Sequence, residues 1–201
     1  MIYPIVRTIL AGWTRLTGCP ITGRQNIPKD GPAIIICNHN HNMDPVFLAM
    51  TTPRQIHYMA KKEFFDIKIV KLFFDLAGAF PVSRGEGDLS AVKNAMAILQ
   101  QNRLIGIFPE GTRGVDESLK PFQKGVALIA YKAQVPVIPV AIRNSQNLFA
   151  FWKKRPAAQI GRPIYLPATR TPDLLEEYTG LFEQEVAKLR ALLYDTGSFS
   201  E

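Results

Sequence analysis

Cysteine is scarce in this chain. Of 201 residues only Cys19 and Cys37 are cysteines, and neither sits in the clustered spacing of a disulfide framework or a zinc site. That excludes a disulfide-stapled secreted fold and points to a reducing compartment. Long uncharged runs are also missing: the longest stretch without Asp, Glu, Lys or Arg is residues 31–43, 13 residues, against the roughly 20 that a spanning helix requires. Arg7 interrupts the one candidate apolar core of a leader peptide, and no small-residue cleavage site follows it. The expected location is therefore the cytoplasm or the cytoplasmic face of a membrane, held there peripherally or monotopically. No acidic residue precedes Asp30, while Arg7, Arg15, Arg24 and Lys29 do; Asp173, Glu176, Glu177, Glu183 and Glu185 gather near the other end. The basic character is polarised toward the start.

What is present describes a folded protein. Apolar residues make up 47% of the chain and charged residues 20%, with 12 Phe and 6 Tyr, which excludes disorder and low complexity. Lys and Arg number 24 against 17 Asp and Glu, a net charge of +7, so an anionic partner is expected: nucleic acid, an anionic membrane surface or a phosphorylated substrate. Short β-branched or aromatic runs over 33–37, 56–60, 79–82, 104–108, 135–142 and 159–166 alternate with helical periodicity over 46–50, 62–76, 89–100, 125–133 and 174–193. The pattern predicts an α/β fold: one layered domain with a central, mostly parallel or mixed sheet flanked by helices. The helix over 62–76 is apolar almost all round and reads as buried core, with the lining of an apolar groove as the alternative.

Asn38-His39-Asn40-His41-Asn42-Met43-Asp44-Pro45 follows the first strand, where α/β proteins place reactive groups. Three readings compete. Asp44 and Pro45 could simply cap the next helix. The two histidines and the carboxylate could hold a metal, but the Asp comes one residue late for a His-x-His-x-Asp-His loop, and only His57 remains elsewhere as a nitrogen donor. Or His39 could act as a general base with Asp44 fixing its tautomer. Cys37, ending an Ala-Ile-Ile-Ile run, reads as an inert core residue.

Phe108-Pro109-Glu110-Gly111-Thr112-Arg113-Gly114 ends another strand. Its glycines let backbone amides approach an anion beside the Arg113 fork, although a tight turn would look the same and the Walker spacing is absent. Lys61, Lys62 and Arg84 also follow strands, and Lys120 and Lys124 follow the Glu-Gly-Thr-Arg loop, which brings basic groups to the edge where an α/β sheet opens its crevice. A nucleic-acid reader would instead carry its basic residues in a stripe with interleaved aromatics, so no nucleic-acid partner is expected.

Four ordered blocks, His39-x-x-x-x-Asp44, Gly78-Ala79-Phe80-Pro81-Val82-Ser83-Arg84, Phe108-Pro109-Glu110-Gly111-Thr112-Arg113 and Val137-Ile138-Pro139-Val140, resemble those of the glycerolipid acyltransferases, above all the bacterial lysophosphatidate acyltransferases. Lys61 and Phe122-Gln123-Lys124-Gly125 are similar to the family too. The resemblance implies acyl transfer from a thioester of coenzyme A or acyl carrier protein to the hydroxyl of a lysophospholipid, with neither metal nor cofactor. It implies His39 as base, Asp44 as its orienting partner, and an acceptor-binding set of Lys61, Arg84, Glu110, Gly111, Thr112, Arg113 and Lys124. The family commonly has Gln-Ser after the His, where this chain has Asn40-His41, which leaves the role of His41 open. Another lysolipid as acceptor, or a non-catalytic lipid-binding protein on the same fold, is the alternative.

No side-chain nucleophile is required for such a reaction, and the chain has no serine elbow. Within 1–28, Ile2, Ile5, Val6, Ile9, Leu10, Trp13 and Leu16 fall on one helical face, with Arg7, Thr8, Thr14 and Arg15 away from it. This predicts an N-terminal amphipathic segment on an anionic membrane surface, with Trp13 at the headgroup boundary, followed by an acyltransferase domain over 29–201.

Overall fold

The run Ala33-Ile34-Ile35-Ile36-Cys37 has no polar side chain to turn toward water, so as a strand it needs cover on both faces. A central place in a parallel sheet supplies that cover. In the computed structural model, which describes residues 8–9, 12–61, 66, 78–82, 89–113, 118–150, 154–169 and 171–195, seven strands form one sheet. They are β1 (Ile21–Thr22), β2 (Ala33–Cys37), β3 (Ile56–Lys61), β4 (Phe80–Val82), β5 (Leu104–Ile107), β6 (Val137–Arg143) and β7 (Ala157–Ile160). Their spatial order is β1-β7-β6-β2-β5-β3-β4. All neighbours are parallel except β6 and β7.

Ile35 of β2 stands opposite Gly106 of β5 and Ile138 of β6, and every residue of β2 is buried. Alternation then divides the core. Ala33, Ile35 and Cys37 pack on the face covered by α1 (Asp44–Ala49) with Phe47 and Leu48. Ile34 and Ile36 pack on the opposite face, against Ala95 and Leu99 of α2 (Leu89–Leu99), Val126 and Ala130 of α3 (Gly125–Ala133), and Phe182 and Val186 of α4 (Leu174–Asp195). Each buried isoleucine contributes about 1.5–3 kcal/mol, so this one strand anchors both layers.

The elements end for local reasons. α3 stops at Gln134, whose left-handed backbone lets its N–H return to the Ala130 carbonyl. α4 opens with Glu176 and Glu177 in its first turn, where a carboxylate complements the helix dipole. The strand expected over 159–166 lies earlier instead: β7 ends at Ile160, and beyond it only Ile164 bridges back to Val137, because Pro163 has no N–H to continue a ladder. Two-residue β1 carries too little pattern to predict. The helix expected over 62–76 lies outside the described residues but for Asp66, as does Arg84.

Order and direction together position the site. β5 and β6 flank β2, and the β5-to-β6 connection passes from one side of β2 to the other. That reversal is the switch point at which α/β sheets open a crevice. Because the three strands are parallel, the loops after Cys37, Ile107 and Arg143 emerge at one edge, together with the end of β3 at Lys61.

Candidate active site

His39 leaves β2 two residues past its last strand residue and turns its Nδ1 to Asp44 Oδ2 at 2.9 Å. The same oxygen accepts the backbone N–H groups of Asn40 and His41, both at 2.7 Å. Asp44 is thus not the cap of α1. Met43 holds that position, Pro45 lies in the first turn, and the Asp44 carboxylate is aimed back into the preceding loop. Its second oxygen accepts the Ser145 hydroxyl from the loop after β6. With Nδ1 giving its hydrogen to a carboxylate, the imidazole presents the Nε2 lone pair. Nε2 has no hydrogen-bond partner among the described residues, and the His39 side chain is 19% exposed, so this edge of the ring is reachable.

The ring is held from below as well. It stacks on Phe108 at 4.2 Å between centroids, and Phe108 stacks on Tyr58 at 6.1 Å. Tyr58 can lie across β5 because Gly106 has no side chain there: a Cβ would come within 2.7 Å of the Tyr58 ring. The Tyr58 hydroxyl donates to the Pro45 carbonyl and closes the stack onto α1.

Asn38 fastens the start of the loop. Its side-chain amide donates to the Ile142 carbonyl at 3.0 Å and accepts the Ile142 N–H at 2.9 Å. Glu110 fastens it from the other side: Oε1 accepts the His39 N–H at 2.7 Å and Oε2 the Lys120 N–H at 3.1 Å, with the residue only 5% exposed. Both carboxylate oxygens of Glu110 therefore serve the protein's own backbone.

The remaining candidates form a rim. Arg113 donates to the Asn42 side chain at 2.5 Å, which sets its guanidinium beside the His39 loop. Lys120 donates to the Thr112 hydroxyl and to the Arg113 carbonyl. Gly111 has a φ of +70° and a Cβ there would meet the Gln123 amide, so this turn is fitted to glycine. Lys124 stands apart, exposed and paired with Glu176 of α4 at 3.0 Å. Lys61 closes β3 at the shared edge.

His41 is exposed and its Nδ1 accepts the Met43 N–H, whereas His57 bonds the Gly78 carbonyl. Among the described residues no three His, Cys, Asp or Glu side chains are grouped to hold a metal. Burial, then the charges of Asp44 and Glu110, push the Cys37 thiol well above its ordinary pKa, as befits a core residue rather than a nucleophile.

Sequence reasoning missed the parts played by Asn38, Ser145 and the Glu110 carboxylate. The available signal was Asn144-Ser145, a polar pair ending an apolar strand, the same kind of feature that drew attention to His39.

Comparison with known proteins agrees with this geometry. The family model described as Acyltransferase matches residues 19–143. A 1-acyl-sn-glycerol-3-phosphate acyltransferase of Bacillus subtilis is 33% identical over 150 residues, 74% of each chain. One of Borreliella burgdorferi is 30% identical over 177 residues, 87% of this chain and 68% of its own. The crystal structure of the 1-acyl-sn-glycerophosphate (LPA) acyltransferase PlsC from Thermotoga maritima superposes with a TM-score of 0.71 at 25% identity, covering 92% of this chain and 80% of that one. The family match spans more than half of the residues and includes the loops after β2 and β5, so the chain belongs to the acyltransferase family.

Proposed function

We propose that this enzyme transfers a fatty acyl group from an acyl thioester, carried by coenzyme A or acyl carrier protein, to the free hydroxyl of lysophosphatidate, forming phosphatidate for phospholipid synthesis. The observation that carries the mechanism is the His39–Asp44 pair at 2.9 Å, which leaves Nε2 of a partly exposed ring without a partner among the described residues. His39 Nε2 removes the hydroxyl proton as the acceptor oxygen attacks the thioester carbonyl, and Asp44 stabilises the imidazolium through Nδ1–H. The tetrahedral intermediate collapses with cleavage of the C–S bond, and the departing thiolate takes the proton from His39. Such base catalysis typically supplies about 10²–10⁴ in rate. No acyl-enzyme forms.

The acceptor choice is supported by the relatives' names and by the rim. Arg113 and Lys120, gathered at the Gly111-Thr112 turn, set positive charge beside the His39 loop, where a glycerol-linked phosphate would sit. Arg84, Lys61 and Lys124 complete the acceptor-binding set in this reading, whereas Glu110 acts by holding the His39 backbone.

The enzyme works at the cytoplasmic face of a membrane in this reading, with 1–28 as the interfacial segment and 29–201 as the acyltransferase domain. No helix among the described residues is long and apolar enough to cross a bilayer. Residues 12–16 are helical, and Ile9, Leu16 and Phe149 are exposed apolar side chains. Trp13 differs from the expectation: its indole N–H donates to the Leu148 carbonyl at 2.7 Å and its ring leans on Phe149, so it ties the segment to the domain. Thr14, expected on the outer face, is buried. Arg155 beside Trp13 and Leu16 adds positive charge at that surface.

The test is an acyl-transfer assay with lysophosphatidate, glycerol 3-phosphate and a zwitterionic lysolipid side by side, each with both donors. Lysophosphatidate should be the preferred acceptor, and His39→Ala should abolish turnover while the protein stays folded. Retained turnover in His39→Ala would overturn the mechanism, and preference for an acceptor without phosphate would overturn the substrate.

A further inference from the structure

We propose that Ser145 is a positioning residue for acyl transfer, its hydroxyl clamping Asp44 so that the other carboxylate oxygen stays on His39 Nδ1; this rests on the reading of His39 as the base.

A carboxylate turns easily about its last side-chain bond. Three of the donors on Asp44, namely His39 Nδ1 and the N–H groups of Asn40 and His41, converge on Oδ2 alone and come from one loop. They belong to that loop, and a shift of the loop carries all three with it. The fourth donor is of another kind. Ser145 reaches Oδ1 from the far side of the sheet's switch point, 101 residues away in sequence. A carboxylate held from two independent elements keeps its place when one of them shifts, which donors from a single loop do not secure.

Ser145 is itself well anchored. It follows β6 directly, after Asn144 in the left-handed region with φ 55°, and opens the short 3-10 turn Ser145–Asn147, where its carbonyl accepts the Leu148 N–H. The residue is 2% exposed and Asp44 is equally buried, so this contact lies away from water. Asn38 bonds Ile142 three residues earlier, so the chain leaving β6 holds the His39 loop at its first residue and, through Ser145, at the carboxylate that orients the ring. A serine that merely filled space would need no such aim.

The experiment compares the parent with Ser145→Ala and Ser145→Thr, the second keeping the hydroxyl. The expected result for Ser145→Ala is a kcat lower by about tenfold with KM for lysophosphatidate within about twofold, since a misaligned base affects the transition state and not acceptor binding. Ser145→Thr should recover most of the lost kcat. Urea unfolding and circular dichroism on each variant establish the folded fraction to which rates are normalised. A parent-like kcat in Ser145→Ala, a loss shared equally between kcat and KM, or a folded Ser145→Thr as slow as Ser145→Ala would each overturn the proposal. His39→Ala run in parallel separates the two levels: turnover retained there refutes the base itself, whereas an inactive His39→Ala beside a fully active Ser145→Ala refutes only the clamp.

Discussion

Glu110→Gln changes one oxygen to an amide nitrogen and leaves the shape of the side chain intact, yet its effect should be large. The carboxylate is almost fully buried and gives one oxygen to the His39 N–H at 2.7 Å and the other to the Lys120 N–H at 3.1 Å. An amide can keep only one of these. Retaining the shorter bond, to His39, leaves the NH₂ group facing the Lys120 N–H, donor against donor. The loss of a hydrogen bond to a charged acceptor costs about 1.5–3 kcal/mol, and an unsatisfied buried donor about 1–3 kcal/mol. Because the two terms overlap, we expect a destabilisation of about 2–4 kcal/mol. At a urea slope of about 2 kcal/mol per molar, the middle of the usual range, the midpoint should fall by roughly 1–2 M. Turnover should fall too, because the His39 backbone loses a fixed neighbour. Urea titration followed by tryptophan fluorescence, with acceptor kinetics on the same preparation, measures both. An unmoved midpoint together with a raised acceptor KM would refute the reasoning, since Glu110 would then be contacting the acceptor rather than the backbone.

Other consequences can be checked separately. Arg113→Ala should raise KM for a phosphate-bearing acceptor by roughly tenfold or more, the scale of a hydrogen bond to a charged group, with the donor KM unchanged; equal effects on a phosphate-free acceptor would refute it. Burial lowers the His57 imidazole pKa from its ordinary 6.5, outweighing the opposing bond to the Gly78 carbonyl, with Arg103 adding to the depression. As pH falls below 6.5 the unfolded chain takes up this proton before the folded one does, so the contribution of His57 is present above that pH and is lost on acidification toward the folded pKa. Urea midpoints between pH 7.5 and 5 should thus fall less steeply in His57→Gln, and identical slopes would contradict the assignment. Leu16→Asp with Phe149→Asp should release the protein from anionic vesicles in flotation while sparing activity on a monomeric short-chain acceptor; continued flotation would dismiss that surface.

Legibility in the sequence followed sequence distance. The strand over 33–37 and the helix over 125–133 could be read to the residue, because an unbroken β-branched run and a Gly-to-Ala amphipathic stretch each declare themselves locally. His39 and Asp44 are five residues apart, so their contact is one of the three readings the loop offers, and the acyltransferase resemblance is what favours it. Ser145 and Ile142 could not be connected to this loop, since their contacts exist only once β6 lies beside β2. The Glu110 motif was visible, but the direction of its carboxylate depended on where Lys120 would fall. For Trp13, an apolar helical stripe records that a face is covered and says nothing of whether lipid or protein covers it.

The placement of β2 between β5 and β6 also bears on synthesis at the ribosome. Its two partners arrive late: the register sets Ile34 against Ile105 and Val137, so the strand waits about 70 residues for one edge and about 100 for the other. During that interval three consecutive isoleucines and an open backbone edge are exposed in the nascent chain, the composition that promotes intermolecular β pairing. Insertion of β6 removes the hazard and, through Asn38 and Ser145, completes the support of the His39 loop in the same event. Catalytic competence should therefore emerge only after the last central strand has left the exit tunnel. Nascent chains stalled before that point should be inactive and should depend on chaperones to stay soluble.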